Sequence, residues 1–296
     1  MKIIGNMEII GKRKIWYSIS LILIAICLVS LLAQGLNFGI DFQGGSLTHV
    51  KFVDESVNSE QIRNILGEFD LENSSIQEAT DGSVVIKTIE LEQDKLGELL
   101  QAFEEKIGKY ELLRSEKVGP IIGGELRKAG LIALLVASIL QILYITIRFE
   151  FKFAIAAIIA LLHDAFIALG FFSLFQIEVD IAFIAAILTI IGYSINDTIV
   201  IFDRIRENLK NRRKESLDVI INKSIKQTIV RSINTSVAVL FILFALFFLG
   251  GETTKNFSLA LIVGVISGAY SSIFVASTLW YQFKTEEHKK IGVGIE

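Results

Sequence analysis

Six apolar runs, each close to the ~20 residues that one bilayer crossing takes, set the terms for this chain. They lie near Ile15–Ala33, Ala129–Ile147, Phe153–Phe175, Ile181–Phe202, Ile233–Leu249 and Leu259–Tyr281. A chain that is 52% hydrophobic, with a mean hydropathy of +0.57, is too apolar for a soluble globule. The first run follows Lys12-Arg13-Lys14 and ends in Leu-Leu-Ala-Gln-Gly, a poor cleavage site, so it reads as an uncleaved span. Links Arg148–Lys152 and Gln176–Asp180 are so short that spans two, three and four must be adjacent antiparallel neighbours. Gly264 and Gly268, with Ser267, Ser271 and Ser272 nearby, allow close helix approach or serve ordinary packing. Pro120 is the one proline, so nearly everything else is free to be helix. Cys27 is the one cysteine, which excludes a disulfide or a cysteine-based metal site within the chain.

Residues 35–118 are a different material, with charges alternating with apolar residues. Their order reads strand Gly45–Val53, helix Ser59–Phe69, strand Ser75–Thr80, strand Ser83–Ile89, helix Leu91–Ile107, strand Glu111–Val118. Asp81-Gly82 signals a hairpin turn. Asn58 with Gln61 predicts a capping box, and Val57 with Ile62 a hydrophobic staple. A β-α-β-β-α-β order suggests a ferredoxin-like domain. The expected fold is an α-helical polytopic membrane protein. It has six transmembrane helices and one small α+β ferredoxin-like extracytoplasmic domain between spans one and two. In order, the expected divisions are a cytoplasmic N-terminus with the first span (1–34), the outer domain with its connecting segments (35–124) and spans two to four (125–203). A basic cytoplasmic loop (204–232), spans five and six (233–283) and a cytoplasmic tail (284–296) complete the chain.

Charge sets the expected orientation. Segment 203–232 holds Arg204, Arg206, Lys210, Arg212, Arg213, Lys214, Lys223, Lys226 and Arg231, and Lys12–Lys14, Arg148, Lys152, Lys284, Lys289 and Lys290 fall on the same side. The opposite short links hold only Lys255. The positive-inside rule then puts both termini in the cytoplasm and domain 35–118 outside. The basic link suits a surface drawn to anionic lipid, with docking to a cytoplasmic partner as an addition. A net charge of −3 gives no sign of a nucleic-acid partner.

Few ionisable residues lie in the apolar runs: His163, Asp164, Asp197 and, at the cytoplasmic edge, Asp203 and Arg231. At helical spacing Thr189, Gly192, Tyr193, Asn196, Asp197, Val200, Asp203 and Arg204 form a polar stripe on span four. An acid at that depth costs roughly 2.5–3.5 kcal/mol to insert, which marks Asp197 as a functional candidate. Arg231, near the same level on span five with Asn234 and Thr235, is its expected partner. A proton relay and a static ion pair that locks two spans fit these residue types equally. His163 and Asp164 are adjacent and not expected to face each other well; packing suits His163 and function suits Asp164. Glu178 and Asp180 are expected to be solvated or to form a mouth for protons. No G-x-x-x-x-G-K-[ST] or H-E-x-x-H frame occurs, and Ser194 has no G-x-S-x-G frame. The chain is therefore expected not to be an enzyme and to hold no cofactor or metal.

Four motifs combine these features: Gly39-Ile-Asp-Phe-Gln-Gly-Gly45, Val118-Gly-Pro-Ile-Ile-Gly-Gly-Glu-Leu126, Leu162-His-Asp164, and GYSINDTIVIFDRIREN over Gly192–Asn208. Together they resemble the SecF family of bacterial protein-export subunits, in the SecD/SecF group of the RND superfamily, and the resemblance covers nearly the whole chain. It implies pairing with SecD in a twelve-span unit associated with the SecYEG channel and YajC. In that setting the ATPase SecA starts export from the cytoplasm, and the SecD/SecF pair draws the unfolded preprotein outwards using protons. It puts Asp197 and Arg231 on the proton path, with Asp164 and Asn196 as further candidates. Gly39, Asp41, Gly44, Gly45, Gly119 and Pro120 form the connection to the outer domain. Asp203, Arg204, Arg206, Glu207 and Asn208 are the cytoplasmic-edge motif. The rival readings are half of a proton-coupled small-molecule exporter and a non-transporting scaffold subunit.

Overall fold

A computed structural model describes residues 8–54, 57–79, 81–211 and 215–290. Among them, six helices are long and apolar enough to cross a membrane. These are α1 (Arg13–Gln34), α5 (Pro120–Arg148), α6 (Phe151–Leu174), α7 (Ile181–Lys210), α8 (Leu217–Leu249) and a last one in three parts. That last helix runs through α9 (Glu252–Tyr270), a π-helical stretch Ser271–Ala276 and α10 (Ser277–Lys290). The last helix, α6 and α7 form the buried centre; α1, α8 and especially α5 are peripheral. Helices α5, α6 and α7 touch one another, as their short links require.

Small residues let the central helices close up. A Cβ at Gly264 would run into the Ile190 side chain of α7, and one at Gly268 would stand 3.0 Å from Ser194 Cβ. The glycine pair is therefore a helix–helix contact. Gly170 of α6 meets Cys27 of α1 in the same way. Two apolar clusters result. One, at the domain end of the bundle, includes Phe172, Phe183, Ile190 and Val265. The other, at the far end, includes Phe153, Phe202, Ile229 and Trp280, with the Phe153 and Trp280 rings stacked at 4.4 Å.

The small domain is a four-stranded antiparallel sheet covered by two helices. Its elements are β2 (Gly45–Phe52), α3 (Ser59–Gly67), β3 (Ser75–Glu78), β4 (Ser83–Thr88), α4 (Gln93–Lys106) and β5 (Tyr110–Val118). The strand order β3-β4-β2-β5 is the ferredoxin-like arrangement. Val50, Phe52, Val84 and Ile86 pack against Ile62, Leu66, Leu99 and Phe103. The capping box at Asn58 and Gln61 starts α3. Gly82, at φ +77, turns the β3–β4 hairpin, and the Asp81 carboxylate accepts from the Ser83 N–H at 3.1 Å.

A short base joins domain to bundle. Strand β1 (Asn37–Phe38) pairs in parallel with β6 (Glu178–Val179), and the one-turn helix α2 (Ile40–Gln43) follows β1. Gly44, at φ +82, lets the chain leave α2 for β2. A Cβ on Gly123 of α5 would stand 3.1 Å from the Phe42 backbone, so α5 abuts this turn.

Two expectations need correction. Helix α5 begins at Pro120, well before the apolar run, because its first turns pack on α2. Segment 204–232 is not a loop, since α7 continues to Lys210 and α8 starts at Leu217. Ile205, Leu217, Ile221 and Ile225 keep an apolar stripe going there and are buried. Arg212, Arg213 and Lys214, and the tail from 291 on, lie outside the described residues, as do residues 1–7.

Candidate functional site

Asp197 is buried on α7, and its Oδ2 has no hydrogen-bond partner among the described residues. It lies 16 residues from the domain end of α7, roughly 24 Å at the helical rise. Arg231 lies 18 residues from the domain end of α8, roughly 27 Å by the same rise. The two are thus at one depth on touching helices. Among the described residues no ion pair joins them, and Arg231 is exposed, so the expected contact is not made in this single chain. On α8 the buried Ser232 hydroxyl approaches Asp197 without forming a well-made hydrogen bond, and the buried Ser236 hydroxyl has no partner among the described residues. Buried polar groups in proteins are rarely left so, because each costs about 1–3 kcal/mol.

Asn196 does not share the buried side with Asp197. It is exposed, in line with exposed Thr189 and Gly192. On α8, Arg231, Asn234 and Thr235 are exposed as well. Polar groups at this depth do not face lipid without cost.

Asp164 is fully buried, 0% exposed, between the two apolar clusters. Its Oδ2 accepts from Ser194 Oγ on α7 and from Ser271 Oγ at the start of the π-helical stretch, both at 2.6 Å. Its Oδ1 accepts from Ser267 Oγ at 2.7 Å. Contrary to expectation, the neighbouring His163 ring folds back, with Nδ1 3.0 Å from Oδ1. Thr198 and Ser272 hydroxyls bond at 2.8 Å one turn along. These serines were missed as a site; Ser267 and Ser271, four apart on one helix face, were the available signal. Ser194 also stands one turn from Asp197 on α7, which puts the two acids near one hydroxyl-lined layer.

At the base, Glu178 and Asp180 are not solvated as expected. Glu178 forms an ion pair with Lys87 of β4, both largely buried. Asp180 caps α7, accepting from the Phe183 N–H at 2.8 Å, and burial pushes its carboxyl above the usual range against that bond. Asp41 Oδ2 accepts from the Ile181 N–H at 3.0 Å. These acids, with Lys87, His49 and Arg114, line a cavity of about 250 Å³ under the sheet. Gly39 donates its N–H to Val179 O, and a Cβ there would collide with Glu178. A Cβ on Gly45 would stand 2.5 Å from Thr88 O. Gly119 precedes α5, whose first residue is Pro120, a favoured start.

At the far end Asp203 lies 3.2 Å from Arg206 and 3.9 Å from Arg148, and Arg204 bonds Glu207 at 2.8 Å. Asn208 donates to Ser224 Oγ at 2.8 Å and Gln227 Oε1 at 3.0 Å, joining α7 to α8. Among the described residues no cluster of His, Cys, Asp and Glu has the make-up of a metal site.

Two family models match the chain: Protein export membrane protein SecD/SecF, C-terminal, over residues 98–286, and the SecD/SecF GG motif over residues 29–52. Protein translocase subunit SecF of Desulfurispirillum indicum is 44% identical, over 92% of this chain and 91% of that protein. The subunit of the same name from Sebaldella termitidis is 40% identical, over 93% and 91%. That from Haemophilus influenzae is 42% identical, over 93% and 85%. Among solved structures, SecDF from Thermus, a translocon-associated membrane protein, superposes with a TM-score of 0.87 at 37% identity over 96% of this chain. SecDF in a Super-membrane-facing form gives 0.74 at 36% identity over 97%. This chain spans 40% of the length of each of those SecDF chains.

Proposed function

The chain belongs to the SecD/SecF family of protein-export membrane proteins, and from that membership we propose that it is an auxiliary subunit of the Sec protein translocase. It pairs with a SecD chain and uses the proton gradient to complete export of unfolded preproteins across the cytoplasmic membrane. The pair works beside the SecYEG channel and YajC, after SecA has started the preprotein on its way. Both termini are cytoplasmic and the small domain is outside, as the basic far end favours.

One observation carries the proton reading: a buried carboxylate oxygen of Asp197 without a partner, beside exposed polar residues on two membrane helices. The exposed side with Asn196, Arg231, Asn234 and Thr235 is where the SecD helices pack, completing a site that this chain leaves open. Protons enter from outside along that seam and neutralise Asp197. Its attraction to Arg231 then falls, and α7 and α8 shift relative to each other. Asp164 lies on the same route, one hydroxyl removed. The base passes the shift to the outer domain, because Asp41, Asp180, Gly39 and β6 tie α7 to β1 and α2. Each proton crossing a potential of 100 mV supplies about 2.3 kcal/mol, enough to bias two packings of a helix pair.

Membrane vesicles with an imposed proton gradient test this. Asp197→Asn is expected to lose the gradient-dependent part of preprotein export while SecD still copurifies. Undiminished export would instead fit a scaffold subunit.

A further inference from the structure

Four donors converge on Asp164: the Ser194 and Ser271 hydroxyls on Oδ2, and the Ser267 hydroxyl and His163 Nδ1 on Oδ1. An ionised carboxylate has about four accepting positions and no proton to give. The three hydroxyl distances, 2.6, 2.6 and 2.7 Å, are those of O–H···O⁻ bonds. Ser194 and Ser267 hydroxyls have no other acceptor among the described residues. This cradle suits an anion, and a fully buried anion calls for a nearby cation. For the His163 ring to donate from Nδ1, that nitrogen must carry hydrogen. Nε2 is then the titrating atom, and it is buried without a partner.

We propose that His163 takes up and gives back a proton at mid-membrane, and that Asp164 is its fixed counter-anion, positioned by Ser194, Ser267 and Ser271. The proposal rests on the proton-coupled reading above and adds to it a second proton-holding group. On uptake one N–H bond forms at the Nε2 lone pair, giving an imidazolium beside the carboxylate. On release that bond breaks and nothing is oxidised or reduced. Besides Asp164, the titratable groups facing the ring are Tyr270 of α9, with ring centroids 6.0 Å apart, and Tyr17 of α1. The Tyr270 hydroxyl is engaged, donating to Trp16 O at 2.9 Å. Among the described residues no Lys, Arg, Asp or Glu lines the groove beside His163. That groove, about 530 Å³, runs between α1, α6 and α10, and its wall is almost wholly apolar.

The chain has three histidines, His49, His163 and His288, so nitrogen NMR can follow each ring. The protein is labelled with ¹⁵N-histidine in this chain only, kept with copurified SecD in lipid nanodiscs, and assigned with His163→Gln. Between about pH 5 and about pH 9 the His163 Nε2 signal is expected to pass from protonated to bare while Nδ1 stays protonated. Asp164→Asn is expected to alter that transition, since the ring loses the carboxylate its Nδ1 faces. A wild-type ring held in one protonation state throughout overturns the proposal, and this measurement needs no variant to fold other than the one used for assignment. In vesicles His163→Gln is expected to lower proton current at least about tenfold. If Asp197→Asn removes the current and His163→Gln leaves both current and pH profile unchanged, the proposal fails while the Asp197 reading stands. If Asp197→Asn keeps its current, that earlier reading fails, and the ring titration still decides for or against His163.

Discussion

Asp197 was legible from the sequence because a charge within an apolar run stands out against hydropathy alone. The surroundings of Asp164 were not, because its partners come from α7 and α9 and serine is common at helix contacts for reasons of size. The same chemistry makes a stability prediction. Ser267→Ala removes a donor to a buried carboxylate and is expected to cost about 1–3 kcal/mol. Thermal unfolding in detergent reads this; a loss indistinguishable from zero would mean that the hydroxyl does not hold Asp164. Asp180 gives a pH dependence. Its carboxyl is raised by burial from the ordinary 3.8, so the folded chain holds that proton more tightly than the unfolded chain. The stability linked to it is full below 3.8 and falls as pH rises through the higher folded value, with no further change beyond it. Asp180→Asn keeps an N-cap acceptor and is expected to flatten this part of a melting-temperature profile against pH. An unchanged profile would show that another group causes the slope.

At the scale of elements, the strands and helices of the outer domain followed from alternation and capping, with no end shifted by more than two residues. The hairpin of α7 and α8 beyond the membrane was hidden by its charges. Nine Lys/Arg in 203–232 suggested a loop, yet buried Ile205, Leu217, Ile221 and Ile225 hold two helices together. Contact between α7 and α9 depends on Gly264 lying against Ile190. Gly264→Ala is expected to destabilise by about 1–3 kcal/mol through overpacking. Adding Ile190→Ala should recover part of that loss, a coupling that a double-mutant cycle of unfolding measurements isolates. Additive losses would show that the two residues do not meet as described.

For the whole molecule, the bundle and the domain follow from hydropathy and period, but their attachment does not. Lys87 and Glu178 are 91 residues apart, and no local pattern links them. Breaking a buried ion pair from one side costs about 3–5 kcal/mol because the remaining charge stays buried. Glu178→Gln is therefore expected to loosen the base, seen as faster hydrogen exchange at β1, β6 and the start of α7, with the α3–α4 core of the outer domain unaffected. Equal exchange in both proteins would mean that the pair does not fasten the domain. Such a firm base is what the transmission step needs, since a loose one would dissipate a shift of α7 before it reached the sheet.

The central claim is that Asp197 gains and loses a proton as the molecule works. Proton current across vesicles holding this chain and its SecD partner tests it most directly, with wild type measured beside Asp197→Asn under one imposed gradient. The account predicts a current in the wild type and none above the lipid background in the variant. A current of wild-type size through Asp197→Asn would contradict it.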